Sequence, residues 1–508
     1  MISSHQFGSG RAMTIRVMRP LRCWLVVVLS VASVGATDNL RLVDAVKHQN
    51  RQAVRALLKE RADVNAPERD GATALHWAVY WDDAETVDLL LRAGANANTA
   101  NDLGVTPLSL ACANGNAVIV AALLAAKADP NRASLSGVAP LMIAARVGSV
   151  AAVNALVAAG ANVNATEASQ GQTALMWAVS QRHPDVVRAL IERGADIHAR
   201  SRVSRLRVNR GSPGGTSADA KYVDEVETGG STPLLFAARQ GDLDSAKLLL
   251  AAGAAVNITA PDGYSPLILA SHSGHGVLAS FLLDKGADPN AAGPGFTALH
   301  TAVLTEDLDL VSTLLARGAK PNAQLTRGTP IRRLGEDLAL PGTLAGATPF
   351  FLAAKFADIA AMRVLVAAGA DPQVPLKDGT TPLMAAAGLG WSGATNRRGV
   401  DIVANKSAAS DPYEDEIRTL EVVTLLVDLG ADVNAANRAG DTALFGAVPK
   451  GFKTVVRFLA DRGAKLDVKN KRGQALLGLT VSTGITSGTP VPMLNATAAL
   501  LRELGAKE

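Results

Sequence analysis

The sequence predicts an all-α repeat array of about twelve helix–turn–helix units joined by hairpin-like loops, a reading that rests on three observations. One glycine recurs at Gly71, Gly104, Gly137, Gly171, Gly230, Gly263, Gly295, Gly346, Gly379, Gly440 and Gly473. Its spacings are 33, 33, 34, 59, 33, 32, 51, 33, 61 and 33, a fixed period broken by three longer intervals. After each of the first ten glycines comes the same short motif, and after the motif a second amphipathic stretch that ends on a further glycine.

The motif reads "TALHWA" at 73–78, "TPLSLA" at 106–111, "APLMIA" at 139–144 and "TALMWA" at 173–178. It continues as "TPLLFA" (232–237), "SPLILA" (265–270) and "TALHTA" (297–302), then "TPFFLA" (348–353), "TPLMAA" (381–386) and "TALFGA" (442–447). A threonine or serine hydroxyl satisfies the first free amides of a helix, and proline suits the first helical position because its missing N–H had no partner there anyway. The fixed leucine and alanine then face the neighbouring unit, alanine because a larger side chain would push adjacent helices apart. Stretches such as "AETVDLLLRAGAN" (84–96) and "VVTLLVDLGADVN" (422–434) space their leucines as a second helix does. The glycine near its end (Gly94, Gly160, Gly194, Gly253, Gly286, Gly369, Gly430, Gly463) fits a left-handed stop. An extended "ADVNA"-type segment leads on to the next unit.

This order of elements resembles the ankyrin repeat, from about residue 38 to the end of the chain. The resemblance implies a solenoid that binds protein partners on a concave face built from the hairpin tips and the exposed side of each first helix. It also implies that His76 and His300, at the family's own histidine position, hydrogen-bond within the loop network. The first unit, "LRLVDAVKHQNRQAVRALLKERADVNA" (40–66), lacks the motif and reads as an N-terminal cap. The expected division is a signal peptide at 1–36, a capping repeat at 37–70, the array at 71–472 and a C-terminal capping repeat at 473–508. Insertions are expected at about 200–228, 324–345 and 389–416.

The leader assignment comes from residues 1–36, which hold Arg11, Arg16, Arg19 and Arg22 and no acidic residue, followed by an apolar run from Cys23 to about Gly35. That is the layout of a secretory signal peptide, with an uncleaved anchor as the alternative. The expected location is therefore exported, periplasmic or secreted. Of the 50 basic residues, 46 remain outside the leader against 46 acidic ones, so the formal charge of +4 resides in the leader. A neutral body gives no reason to expect nucleic acid or an anionic membrane. Only Cys112 remains outside the leader, so an intrachain disulfide and a cysteine-rich zinc site are excluded there.

Candidate contacts are the two residues after each motif's core: Tyr80-Trp81, Ala113-Asn114, Arg146-Val147, Ser180-Gln181, Arg239-Gln240, His272-Ser273, Leu304-Thr305 and Lys355-Phe356. They vary while the frame around them does not. Tyr80 and Trp81 read as exposed aromatics, either interface anchors or a shield over the incomplete first unit. Phe356 is a weaker anchor, with Lys355 beside it and Arg146 and Arg239 as polar contacts. Trp77 and Trp177 occupy the inward slot and read as core. The arginine-rich first insertion ends in Asp224, Glu225 and Glu227 and reads as a mobile, self-compensating loop. The third carries Trp391, Asn396, Arg397 and Arg398 and separates the two helices of one unit.

No HExxH, GxSxG, CxxCH or GxGxxG-after-strand pattern occurs, so no catalytic residue, metal or cofactor is expected. His272 and His275 have metal-like spacing, but His275 follows the inter-helix glycine, as in ankyrin repeats. The expected function is a non-catalytic, monomeric protein-binding scaffold. The alternatives are a secreted effector acting on another cell's proteins and a carbohydrate or small-ligand module using Trp81 and Trp391.

Overall fold

Each repeat starts where a threonine or serine in extended conformation ends the incoming loop. Thr106, at φ −105° and ψ 160°, accepts a hydrogen bond from the Ser109 amide at 3.1 Å through Oγ1. Its own amide donates back to Ser109 Oγ at 2.9 Å, a reciprocal capping box, and Pro107 opens the helix behind it. Thr173, Ser265, Thr348 and Thr381 cap their helices with the same hydroxyl. The second helix of most pairs begins on a short polar residue as well: Asp83, Asn116, Ser149, Asp242, Asp307 and Asp358 each accept an amide one turn on.

The computed structural model describes residues 40–209, 223–327, 342–390, 412–481 and 489–507. The chain divides into two compact units, Met1–Ser204 with Gly229–Ala255, and Arg205–Thr228 with Val256–Glu508. The first unit stacks six helix pairs. They are α1 (Arg41–Lys47) with α2 (Arg51–Lys59), α3 (Ala74–Tyr80) with α4 (Ala84–Arg92), and α5 (Pro107–Asn114) with α6 (Ala117–Ala125). Then come α7 (Pro140–Val147) with α8 (Val150–Ala158), α9 (Ala174–Ser180) with α10 (Pro184–Glu192), and α11 (Pro233–Gln240) with α12 (Leu243–Ala251). First helices pack on first helices in the order α1, α3, α5, α7, α9, α11.

The second unit continues with α13 (Pro266–His272) and α14 (Gly276–Asp284), α15 (Ala298–Leu304) and α16 (Leu308–Ala316), and α17 (Pro349–Lys355) and α18 (Ile359–Ala367). After these come α19 (Pro382–Ala386) with α20 (Pro412–Asp428), then α21 (Ala443–Ala447) with α22 (Lys453–Asp461). A 3-10 turn at Leu477–Thr480 and α23 (Val491–Glu503) end the stack. Within this unit α13, α15, α17, α19 and α21 pack in series. The all-α repeat class expected from the sequence is what the helices form.

The core follows the motif. Leu75, Leu108, Leu141, Leu175, Leu234 and Leu267 are buried, and so are the alanines three residues later, Ala78, Ala111, Ala144, Ala178, Ala237 and Ala270. Outside the core, loops are tied by an asparagine clamp. Asn131 donates to the Gly160 carbonyl at 2.9 Å and accepts from the Asn162 amide at 2.7 Å, joining one unit's loop to the next. Asn65, Asn98, Asn164, Asn257, Asn290, Asn322 and Asn434 repeat both bonds. The clamp of Asn322 reaches Gly369 across the second insertion, so the register survives the added chain.

Two glycine slots differ in what they require. Gly137 has φ +77°, and a Cβ there would stand 2.8 Å from the Ala168 amide of the next loop. Gly160, at φ +91°, has nothing within 4 Å, so it answers only to the left-handed backbone. Lys127 fills the same stop one unit earlier at φ +66°.

Two sequence expectations need correction here. The first insertion forms a two-stranded ribbon of β1 (Val203–Asn209) and β2 (Val223–Gly229), where a mobile loop was expected. Its charges do compensate, for Arg205 Nε lies 3.2 Å from Glu227 Oε1. The third insertion ends earlier than 416, because α20 begins at Pro412 and Glu416 accepts from the Thr454 amide and hydroxyl at 2.6 and 2.7 Å. Trp391, Asn396, Arg397 and Arg398 lie outside the described residues, as do residues 328–341 of the second insertion and all of the leader.

Candidate functional surface

The histidine slot is structural. His76 is buried: Thr73 donates its amide to Nδ1 at 3.2 Å, and Nε2 reaches the Val105 carbonyl of the next loop at 3.1 Å. An amide pointing at Nδ1 makes that nitrogen the acceptor, so the proton sits on Nε2. His300 repeats the arrangement with Thr297 at 3.2 Å and Ala347 at 3.2 Å. Burial holds the His300 imidazole down at about 4 and lowers His76 as well, against the opposing pull of their carbonyl partners. Both rings are neutral braces between one unit and the next, as the resemblance implied.

His272 stacks on Phe296 with ring centroids 6.2 Å apart and meets Tyr264 edge-on. His183 reaches the Arg146 carbonyl at 3.0 Å. Among the described residues no group of three or more His, Cys, Asp or Glu side chains could hold a metal ion. Burial pushes the Cys112 thiol up to about 12, which leaves it protonated and inert.

In the first unit the structure gathers Tyr80 and Trp81 with Trp77. The Tyr80 ring stands edge-on to Trp77 at 5.6 Å and to Trp81 at 5.1 Å. All three are half-buried, which corrects both expectations: Trp77 is not core, and Tyr80 and Trp81 are not free aromatics. Trp77 donates Nε1–H to Glu68 at 2.6 Å and carries the Lys47 ammonium over its ring at 4.6 Å. That places Trp77 against the loop and helix of the first pair, as a shield would be. The Trp81 indole nitrogen is enclosed and has no hydrogen-bond partner among the described residues.

Trp177 is half-buried too, under the Arg146 guanidinium at 5.2 Å, while Arg146 itself is exposed. Arg239 is half-buried at the end of α11. Lys355 and Phe356 belong to the second unit, where both are half-buried and the ammonium lies 5.8 Å from the Phe356 ring centre. The six candidate side chains thus fall into one group of four and one group of two.

Sequence reasoning missed two features. Leu103 and Leu135 are 68% and 78% exposed at consecutive loop tips, and a Cβ on Gly104 would lie 3.4 Å from Leu135 Cγ, so the tips are neighbours. The signal was available, since leucines at two consecutive tips stand out against Asp70, Gln170, Asp262 and Asp378 at others. The second is Lys450, in the slot that corresponds to Phe356 two units earlier, where the motif has drifted to "TALFGA".

The family described as ankyrin repeats, in copies of three, matches residues 42–134, 108–201, 217–293 and 234–324, together more than half of the chain. The chain belongs to the ankyrin-repeat family. Among curated relatives, a putative ankyrin repeat-containing protein of Treponema pallidum is 34% identical over 147 residues, 28% of this chain and 49% of the relative. Human ankyrin repeat and SOCS box protein 16 is 31% identical over 41% of this chain and 45% of its own length. The human transient receptor potential cation channel subfamily A member 1 is 25% identical over 51% of this chain and 26% of its length. The chain spans about half or less of each of these relatives, so the match is to their repeats. Ankyrin arrays generally mediate protein–protein interaction and are generally non-catalytic. No helix among the described residues is long and apolar enough to cross a membrane.

Proposed function

We propose that this ankyrin-repeat protein is a non-catalytic, monomeric scaffold. Its partner proteins dock on the loop tips and the exposed ends of the first helices. The observation that carries this reading is the pair Leu103 and Leu135: large apolar side chains held side by side in solvent by loops whose backbones are clamped from unit to unit. Isolated surface leucines are common, but neighbouring ones at the rigid edge of an array supply apolar contact without a cost of ordering the loop. Arg146, exposed and resting on Trp177, supplies a polar contact in the same unit.

The test is affinity capture with residues 37–508 and with the double variant Leu103→Ser, Leu135→Ser. Each exposed leucine contributes about 1–2 kcal/mol if buried by a partner, so the double variant should lose a proteins' worth of specific bands while melting unchanged. Full retention of every captured protein by the variant sinks the assignment. We read the chain as exported, on the arginine-then-apolar pattern of residues 1–36. N-terminal sequencing of the protein recovered from its producing cells should begin near Thr37; an intact Met1, Met13 or Met18 start would refute export by cleavage.

A further inference from the structure

Trp77 and Trp177 stand in the same slot of the motif, and each carries a cation from the last turn of the preceding first helix. The Lys47 ammonium lies 4.6 Å from the Trp77 ring centre, and the Arg146 guanidinium lies 5.2 Å from that of Trp177. In the first case a carboxylate closes the arrangement. Glu68 accepts the Trp77 Nε1–H on Oε2 at 2.6 Å and the Lys47 ammonium on Oε1. Three repeats later the counterpart of Glu68 is Glu167: each donates its amide across its own loop, to the Ala72 carbonyl at 2.7 Å and to the Gln172 carbonyl at 3.1 Å. The Glu167 carboxylate, however, is taken up by that loop. It accepts from the Ser169 amide and hydroxyl, both at 2.6 Å, and from the Gln170 and Gln172 amides at 2.8 and 2.9 Å. Four donors fill the lone-pair sites of a carboxylate, so none is left for Trp177. We propose that Arg146 and Trp177 form a seat for a carboxylate from an acidic segment of the protein partner, held between guanidinium and indole N–H as Glu68 is held between Lys47 and Trp77. This inference rests on the scaffold reading above and gives the chemistry of one of its contacts.

The seat is open and its parts are held in place. Arg146 is exposed, and among the described residues its guanidinium has no hydrogen bond or ion pair; contact with the ring face uses none of its five N–H donors. Loss of water is what lowers its pKa from the ordinary value, with no carboxylate to oppose the shift. The Trp177 Nε1–H also lacks a partner among the described residues, and unlike the Trp81 nitrogen it is not enclosed. Both backbones are tied down. The Arg146 carbonyl meets His183 Nε2 at 3.0 Å, and the Trp177 carbonyl accepts from the Ser180 hydroxyl at 2.9 Å. The His183 ring fits there because Gly148 has no Cβ, which would stand 2.8 Å from it. A guanidinium already resting on a ring loses less side-chain freedom when a ligand arrives. The ligand class follows from the occupied example: two oxygens of a carboxylate match one cation and one neutral N–H. A phosphate dianion would bring a second charge that the indole cannot meet.

The experiment follows the indole N–H signals of the full chain labelled with nitrogen-15 tryptophan, with the Trp177 signal assigned from Trp177→Phe. Capped hexaglutamate, capped hexaglutamine and inorganic phosphate are titrated in at matched ionic strength. Hexaglutamate should move the Trp177 signal downfield and slow its exchange with water, while Trp77, already bonded to Glu68, stays in place. Hexaglutamine and phosphate should do neither. Affinities come from the anisotropy of dye-labelled hexaglutamate. Arg146→Gln should weaken binding about tenfold, the loss expected for one charge-assisted contact. Arg146→Lys, which copies the Lys47 arrangement, should keep most of the binding, and Trp177→Phe, which keeps a ring but removes the donor, should lose about fivefold. An unmoved Trp177 signal, equal movement of Trp77, unweakened binding by Arg146→Gln or Trp177→Phe, or an equal shift with phosphate would each overturn the seat. Hexaglutamate binding is read without any partner, so its failure with protein capture intact removes only the seat. Absence of any captured protein removes the scaffold reading and leaves the hexaglutamate result standing.

Discussion

Lowering the pH from neutral should loosen the array at α15 first, and His300 sets the size of the effect. Its imidazole is fully buried, takes the Thr297 amide on Nδ1 and donates Nε2–H to Ala347. Protonation would put a second hydrogen against the Thr297 amide and a charge in a site where no carboxylate among the described residues pairs with it. The folded ring is held at about 4 while the unfolded one titrates at 6.5. A folded value below the unfolded one means that the unfolded chain binds the proton first as pH falls. The stabilisation is thus complete above 6.5 and is lost progressively down to about 4. At 1.36 kcal/mol per pH unit, the full span corresponds to about 3 kcal/mol.

An array of helix pairs need not unfold in one step, so a single melting temperature averages over units. Native-state hydrogen exchange at the α15 amides, corrected for the intrinsic pH dependence, reads the local opening free energy instead. Wild-type protein should lose about 2 kcal/mol of that protection between pH 6.5 and 5, and His300→Gln should show little of this slope. Every other residue is the same in both proteins, so the difference isolates His300. An equal slope in the variant, or a folded imidazole that titrates near 6.5 by NMR, would refute the argument.

Other predictions concern the frame. Lys127 adopts φ +66° at a stop that glycine fills elsewhere, so Lys127→Gly should stabilise the first unit by about 1 kcal/mol in urea titration; a loss would show that the side chain contributes more than the strain. Gly160→Ala should cost about 1 kcal/mol because only the backbone resists it, and Gly137→Ala at least twice as much because a Cβ also strikes the Ala168 amide. Equal losses would mean that the loops shift freely. Asn131→Ala removes two exposed inter-unit hydrogen bonds and should cost about 1–2 kcal/mol, with exchange rising at Asn162 before the helices open. Truncating Tyr80 and Trp81 together should lower the melting temperature as well as partner capture, since both rings are half-buried against each other; an unchanged melt would return them to the status of free surface anchors.

How much could be read in advance follows from where each interaction lies. The capping threonines, the alanine that keeps helices close, the two kinds of glycine and the histidine brace all act within one repeat or across one step to an identical neighbour. Their partners recur at the same period, so the sequence alone determined them, Thr73 with His76 and Thr106 with Ser109 being typical. Even the asparagine clamp was present as a recurring asparagine, in "VNA" at Asn65, Asn164 and Asn434 and in "PN" at Asn131, Asn290 and Asn322, although its two bonds to the next loop were visible only in three dimensions.

The half-burial of Tyr80 and Trp81, the ribbon made from the first insertion, and the neighbouring tips Leu103 and Leu135 had no such periodic signature. Each depends on unlike residues meeting at one place, through edge-on aromatic contact, strand pairing or the juxtaposition of two loop tips. A repeat fixes where the backbone goes, because every unit solves the same packing problem. What its surface does depends on the particular residues that the stacking brings together, and only the tertiary structure decides that.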